Sequence, residues 1–460
     1  MKKTIRTLIV CCLAVIAVSF TGCFTPLVNA PEHTANMKKH ADSIVYDDYV
    51  YFANSFVKYT DLVGDANNPG KAENGAMYRV KTTNGKIEYD KDTSMPKNVE
   101  LVLSKVVGSE HTFMYSIDDY IYFASPNAHK DKSQADRFEL TTFFKVKTDG
   151  TGLKEIYTTE SEVSQQNVLH IGDKHILIFV EGTALKKIEL GVNTVKTLVD
   201  ESTSIVFADK YVTENDKFAY YTTNLEENLA NQNLSGTYLN KVDIISGDVV
   251  EKINKDSHLN KSITLDSVVN GSVYFKMNAD NGFNYYYKYE SGAFSTLQQI
   301  SVAVDTLTVN DFMPVVVTSG TNQSQTTYYI FAISTSNVNK TYIFKGLNKD
   351  FSEENLLFDS EVKLLFADGE FVYFAETGKG IYRISVIDKA EQTIMQHTDF
   401  LTTNIAFDGK YLYFYAKNAD NTTGKYYQYR ASIRSAEIDN EQEIELLGFL
   451  DDEDMPSEEE

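Results

Sequence analysis

The stretch Asp408-Gly409-Lys410-Tyr411-Leu412-Tyr413-Phe414 joins a tight-turn signal to a short aromatic run, and the same phrase recurs along the chain. It returns as Asp47-Asp48-Tyr49-Val50-Tyr51-Phe52, Asp118-Asp119-Tyr120-Ile121-Tyr122-Phe123, Asn270-Gly271-Ser272-Val273-Tyr274-Phe275 and Asp368-Gly369-Glu370-Phe371-Val372-Tyr373-Phe374. Recurrence over tens of residues signals one supersecondary unit copied around an array. Asp-Gly suits a hairpin because both central residues of a type I′ turn need positive φ, which Gly adopts freely and Asp tolerates.

Outward from this phrase, Tyr, Phe, Val, Ile and Thr concentrate in runs of five to eight bounded by Gly, Asn and Asp, and the 7 prolines are few. That is an all-β pattern. The last unit shows four strands: Thr403 to Phe407, Tyr411 to Tyr415, Tyr426 to Ser432 and Glu443 to Phe449. The second strand is apolar at nearly every position instead of alternating, which predicts burial on both faces between neighbouring sheets. Second strands are marked by Phe52, Phe123, Phe179, Tyr221, Phe275, a weaker copy near Val315 to Thr318, Phe374 and Phe414. Third strands follow, among them Met77 to Lys81, Phe143 to Lys147, Tyr285 to Tyr289, Tyr342 to Lys345 and Ile381 to Ile384. About 400 residues over eight units gives roughly 50 each, the size of a four-stranded propeller blade. The expectation is a β-propeller of eight blades, with seven as the alternative because the fourth and sixth units are the least regular.

The cycle of Asp-Gly, Tyr-Leu-Tyr-Phe, polar loop and Tyr-Tyr-x-Tyr, like Phe143-Phe144-Lys145-Val146-Lys147-Thr148-Asp149-Gly150, resembles bacterial propeller lipoproteins related to the low-density-lipoprotein-receptor type and to the Tol-system propeller. The resemblance covers nearly all of residues 41 to 449 and implies architecture, since propellers host binding, scaffolding and catalysis alike. The receptor-type blade carries Tyr-Trp-Thr-Asp. This chain contains 0 Trp, so no binding role transfers from that branch.

At the start, Lys2, Lys3 and Arg6 precede an apolar run of 11 residues, Leu8 to Val18. That run suits a signal-peptide core and is shorter than the ~20 apolar residues of a spanning helix. Phe20-Thr21-Gly22-Cys23 follows and resembles the lipobox of bacterial lipoproteins, in which the cysteine thiol accepts a diacylglycerol and becomes the new N-terminus. The family usually has Leu where Phe20 stands. The resemblance implies a signal peptide at 1–22, a lipidated tether at 23–40 anchored to a bacterial membrane through Cys23, a propeller at 41–449 and an acidic disordered tail at 450–460. The other cysteines, Cys11 and Cys12, would leave with the leader, so a mature domain of about 400 residues would rest on its core without disulfides.

The net charge is -22, and removal of Lys2, Lys3 and Arg6 with the leader takes three positive charges away and leaves -25. Such a charge opposes nucleic-acid binding. Seven of the ten residues from Asp451 to Glu460 are carboxylates, which reads as a solvated tail. No Gly-x-Ser-x-Gly elbow, His-Glu-x-x-His or phosphate-binding Gly-rich loop occurs. His170 and His175 flank the Gly172-Asp173 turn and read as turn histidines, because zinc needs three or four converging ligands. No cofactor and no metal are expected.

Loops between second and third strands are long in most units: Ala53 to Ala76, Ser125 to Thr142, Thr222 to Thr237, Lys276 to Asn284, Ser319 to Thr327 and Ala416 to Lys425. Equivalent loops emerge on one end of a propeller, so they predict a polar rim. Two are near copies, giving candidate ligand-binding residues Asn278, Asp280, Asn281, Asn418, Asp420 and Asn421; neither copy keeps the alternation of oxygens that a calcium loop needs. The function read from this pattern is a non-catalytic, membrane-anchored extracytoplasmic propeller that binds a protein or glycan ligand through its long-loop face. The alternatives are a carbohydrate-active enzyme using paired channel carboxylates and an envelope-assembly scaffold.

Overall fold

The computed structural model describes residues 41–58, 75–108, 113–127, 140–209, 214–224, 237–253, 262–278, 284–290, 292–299, 308–319, 324–334, 339–345, 353–418, 424–433 and 443–450. The expected leader, Cys23, the expected tether and residues 451–460 of the expected acidic tail lie outside these residues.

Eight antiparallel sheets of consecutive strands form the ring, spanning 43–106, 114–158, 163–199, 204–252, 263–299, 308–358, 363–396 and 406–446. They are blades 1 to 8. Blade 1 carries an extra two-residue strand, Lys86–Ile87. Eight blades replace the alternative of seven. In each blade the first strand is an edge of its sheet, and the first strands of blades 1 and 2, 4 and 5, 5 and 6, and 6 and 7 contact one another, which places the first strands around the axis.

Second strands are buried on both faces as expected: Tyr411–Ala416 is buried at every position and Phe371–Glu376 at its central four. Aromatic rings fill the seams. Phe366 of blade 7 stacks on Tyr373, and both meet Phe407 of blade 8 at 5.5 and 5.2 Å. Such pairs contribute about 0.5–1.5 kcal/mol beyond area burial.

The repeated aromatic phrase has a second use. A cation on the third strand reaches back over its first aromatic: Arg79 over Tyr49 at 4.6 Å, Lys145 over Tyr120 at 4.6 Å, Lys241 over Phe218 at 3.9 Å, Arg383 over Phe371 at 4.3 Å and Arg430 over Tyr411 at 4.0 Å. Each cation sits directly across from the second aromatic of the phrase, Tyr51, Tyr122, Tyr220, Tyr373 or Tyr413. Tyr-x-Tyr or Phe-x-Tyr is therefore a clamp that desolvates a cation against π faces while the inner tyrosine packs in the seam.

The turns depart in part from expectation. Asn270 and Gly271 both have positive φ, 48° and 75°. At Asp408-Gly409 only Gly409 does, at 95°. Asp408 closes that turn through its side chain, whose Oδ1 accepts from the N–H groups of Lys410 at 2.7 Å and Tyr411 at 2.6 Å. A carboxylate acceptor makes the second positive φ unnecessary.

Unit six corrects the sequence reading. Val315 to Thr318 belongs to the first strand, Thr308–Ser319, and the second strand is Ser324–Ser334. Ser319 and Ser324 to Thr327 are thus paired in the first hairpin, with Ser319 opposite Ser324, and do not belong to a loop between second and third strands. The run Val315-Val316-Val317 mimics a second strand because an inner strand flanked by blades is also apolar on both sides.

Among the described residues no strand is exchanged between the chain ends, and the ring closes through side chains and an isolated antiparallel backbone bridge of Ser55 with Tyr427. Asn54 of blade 1 accepts at Oδ1 from Phe449 N–H at 2.9 Å and donates from Nδ2 to Phe449 C=O at 3.4 Å. Phe56 N–H donates to Tyr426 C=O at 2.9 Å, and Gln428 Nε2 donates to Ser43 Oγ at 2.7 Å. Arg430 Nη2 and Tyr411 OH both donate to Gly85 C=O at 3.0 Å.

Candidate functional site

Antiparallel alternation gives the ring two unlike ends. The turn face carries the connections between first and second strands, and between third and fourth strands. The loop face carries the long second-to-third loops and the links between blades.

On the loop face, Asn278 ends the second strand of blade 5, opposite Asn284, and Asn418 lies partly buried just beyond the second strand of blade 8. These two positions share a face but stand on blades separated by two others, so the structure does not bring them together. Asp280, Asn281, Asp420 and Asn421 lie outside the described residues. Beside Asn418, Asp399 accepts from Lys417 Nζ at 2.6 Å and from Tyr426 OH at 2.7 Å. The Lys417 and Tyr426 hydrogen bonds hold the Asp399 carboxyl below its usual range.

The described cavity lies at the turn face. Its ≈ 250 Å³ are lined by first-strand residues of three consecutive blades, Ser267 to Asn270, Phe312 to Val316 and Leu365 to Gly369, with Asp209 of blade 4 completing the wall. Most of its lining residues are apolar, polar atoms make up nearly half of its exposed surface, and its charged members among the described residues are Asp209 and Asp368. β-Bulges at Leu265/Ser267, Val309/Asp311 and Leu364/Phe366 interrupt these strands at or just before the cavity. Each bulge adds a residue and bends its strand, which re-aims the segment beyond it.

Two further carboxyls adjoin this wall in sequence. Asp266 is largely buried beside Ser267; burial raises its pKa to about 6, against the Ser267 hydrogen bond at 2.9 Å, and nearby Asp311 adds to the rise. Asp311 is also raised by burial, partly offset by N–H donors from Phe312 at 3.0 Å and Leu364 at 3.2 Å. Since Leu364 belongs to blade 7, Asp311 ties the inner strands of two blades together.

His170 and His175 face each other across their turn with rings stacked 4.5 Å apart and 5° from parallel. His175 Nδ1 lies 3.0 Å from the Tyr115 hydroxyl of blade 2. Burial and the neighbouring imidazole lower the His175 pKa. Among the described residues no group of three or more His, Cys, Asp or Glu is arranged to hold a metal ion, and no helix is long and apolar enough to cross a membrane.

The sequence reading missed this cavity because it treated the turn face as uniform. The available signal was the length of unit six's first strand, 12 residues against 7 in blade 5.

No family model matches the chain, and no curated protein matches it. Among solved structures it is similar to TolB from Acinetobacter baumannii, at 13% identity and a TM-score of 0.32 over 70% of this chain and 77% of that one. It is also similar to an acylaminoacyl peptidase of Pyrococcus horikoshii, at 13% identity and a TM-score of 0.42 over 73% of this chain and 51% of that one. A puromycin-hydrolyzing peptidase of Mycobacterium tuberculosis aligns at 10% identity and a TM-score of 0.39 over 84% of this chain and 58% of that one. This chain thus spans little more than half the length of either peptidase, and similarity at these levels carries no argument about activity.

Proposed function

We propose that the chain is a non-catalytic binding propeller, held at an extracytoplasmic membrane surface through a lipid on Cys23. The observation that carries the binding reading is the cavity of ≈ 250 Å³ at the turn-face end of the axis, built from several blades at once. A concave site that joins apolar surface to placed polar groups is the usual form of a recognition site. Glycoside hydrolysis needs two carboxyls open to a shared substrate, whereas Asp311 has both oxygens engaged by backbone N–H groups. The anchor rests on the Leu8 to Val18 run and the lipobox-like residues before Cys23. In this reading the long-loop face, with Asn278, Asp280, Asn281, Asn418, Asp420 and Asn421, forms a secondary rim for a protein or glycan.

Photo-crosslinking in intact cells tests the proposal. A benzoylphenylalanine at Val316 on the turn face is expected to capture a discrete partner, with a weaker product or none from Asn418 on the loop face. Capture only from Asn418 would move the site to the loop face, and capture from neither would sink the binding reading. Labelling with radioactive palmitate should be lost in Cys23→Ser; retained labelling would remove the anchor.

A further inference from the structure

Blades 2 and 3 meet on the turn face around two histidines. The first hairpin of blade 3 turns through Gly172 and Asp173, with Ile171 opposite Lys174 and His170 opposite His175. In a two-residue hairpin the pair flanking the turn exchanges hydrogen bonds, so the next pair outward is the non-hydrogen-bonded kind, whose side chains approach most closely. The backbone of His175 agrees, since its C=O accepts from Leu190 N–H of the third strand. The result is two imidazoles stacked 4.5 Å apart and 5° from parallel.

Strand alternation sends both rings to one side. Leu169 and Ile171 pack with Ile205 and Ala219 of blade 4, whereas Val168 and Leu177 pack with Tyr115 and Tyr122 of blade 2. His170 and His175 have the parity of the second set and face blade 2. There the Tyr115 hydroxyl lies 3.0 Å from His175 Nδ1, which leaves Nε2 as the nitrogen open to a ligand. Asp118, in the exposed first turn of blade 2, is near enough to act electrostatically on the His175 ring. His170 is exposed, so the pair is reached from solvent.

The chemistry of the pair selects its ligand. Imidazole binds divalent first-row transition metals through a ring nitrogen at ~2.0–2.1 Å, so two nitrogens on one ion stand roughly 2.9 to 4.2 Å apart. From a stack of 4.5 Å, a small tilt of the exposed His170 ring closes that distance. Two nitrogens are too few for the closed tetrahedral site of structural zinc, and no group of three or more ligating side chains stands among the described residues. They suit Cu(II), which heads the affinity order and takes a tetragonal N,O coordination that water or a carboxylate completes. The Tyr115 contact to the far nitrogen is of the kind that orients a ligating histidine. The net charge of -22 draws cations toward the chain.

We propose that His170 and His175 form an open, two-imidazole site for a divalent transition-metal ion, copper(II) in preference to zinc, at the turn-face seam of blades 2 and 3. The ion exchanges two water ligands for two ring nitrogens, with no change of oxidation state. The tight turn holds the histidines in register before the metal arrives, so the second nitrogen binds in an intramolecular step. The site is separate from the cavity of blades 4 to 7 and stands or falls independently of it.

Titration of the full chain in detergent micelles with Cu(II), followed by calorimetry and electron paramagnetic resonance, tests the proposal. The expected result is one tightly bound ion per chain with two equatorial imidazole nitrogens, its affinity weakened about tenfold or more by either His170→Gln or His175→Gln. His397→Gln, which removes a histidine just beyond the fourth strand of blade 7, should leave that affinity unchanged. Should His175→Gln fail to fold, His170→Gln, at an exposed position, decides alone. A spectrum with a single imidazole, affinity indifferent to His170, or an equal loss in His397→Gln would show adventitious copper only and overturn the site. Zinc bound as tightly as Cu(II) would overturn the assignment of the metal.

Discussion

The Tyr415 hydroxyl of blade 8 donates a hydrogen bond of 3.0 Å to Asp42 Oδ2 at the head of blade 1, across 373 residues of sequence. Asn404 Nδ2 donates to the same oxygen at 2.8 Å, while Asp42 Oδ1 is buried without a hydrogen-bond partner among the described residues. Two donors on one oxygen do not offset full burial, so the Asp42 pKa rises from 3.8 to about 7.

A raised carboxyl pKa stabilises the protonated fold. The contribution of Asp42 is fully present below pH 3.8 and is lost as pH rises through about 7. The three-unit rise corresponds to on the order of 4 kcal/mol. Urea unfolding of the wild type and Asp42→Asn between pH 4 and 8 should show the wild type losing stability relative to the variant as pH rises. Parallel pH profiles would refute the assignment.

Arg430 and Glu445 form an ion pair of 2.6 Å with side chains 2% and 8% exposed. The matching pair in blade 1, Arg79 with Glu100, is 23% and 48% exposed. Removing one member of a buried pair strands the other charge, so Arg430→Leu should destabilise by about 3–5 kcal/mol. Arg79→Leu should cost about 1 kcal/mol or less from the ion pair, apart from its stacking on Tyr49. Equal losses in thermal denaturation would contradict the ranking by burial.

Gly448 stands where a Cβ would collide with Asn54 Oδ1 and come within 2.8 Å of the Phe52 ring. Gly448→Ala should therefore push the end of blade 8 away from blade 1 and destabilise by about 1–3 kcal/mol. The added Asn54→Ala change should recover part of that loss, because it removes the colliding oxygen. A double mutant whose cost is the full sum of the two singles would show that the latch is not the site of strain.

His175 is held in its neutral form by burial and then by His170. Its lowered pKa contributes stability above pH 6.5 that is lost as pH falls through the folded value. NMR titration of its ring protons should give a pKa below the ordinary imidazole range, and His170→Gln should raise it while leaving the burial effect. No movement in the variant would show that the stacked partner exerts no electrostatic influence.

The scaffold was legible in the sequence at Tyr411 to Tyr415 and Phe371 to Phe374, because a strand buried on both faces must be apolar at every position. It was illegible at unit six. There Val315-Val316-Val317 presents the same run in an inner strand, and the polar start of the true second strand, Ser324-Gln325-Thr326-Thr327, reads as a loop. Composition reports how buried a strand is without reporting which neighbours bury it.

By itself the sequence determined the repeat, the strand class and the blade size, all of which depend on residues near one another in the chain. Only the tertiary structure decided the count of eight, the closure through Asn54, Asp42 and Gly85, and the meeting of Asp209, Val268, Phe312 and Phe366 around one cavity. Those features join residues from different blades, and each depends on the curvature of the ring, to which every blade contributes a small rotation that no local pattern encodes.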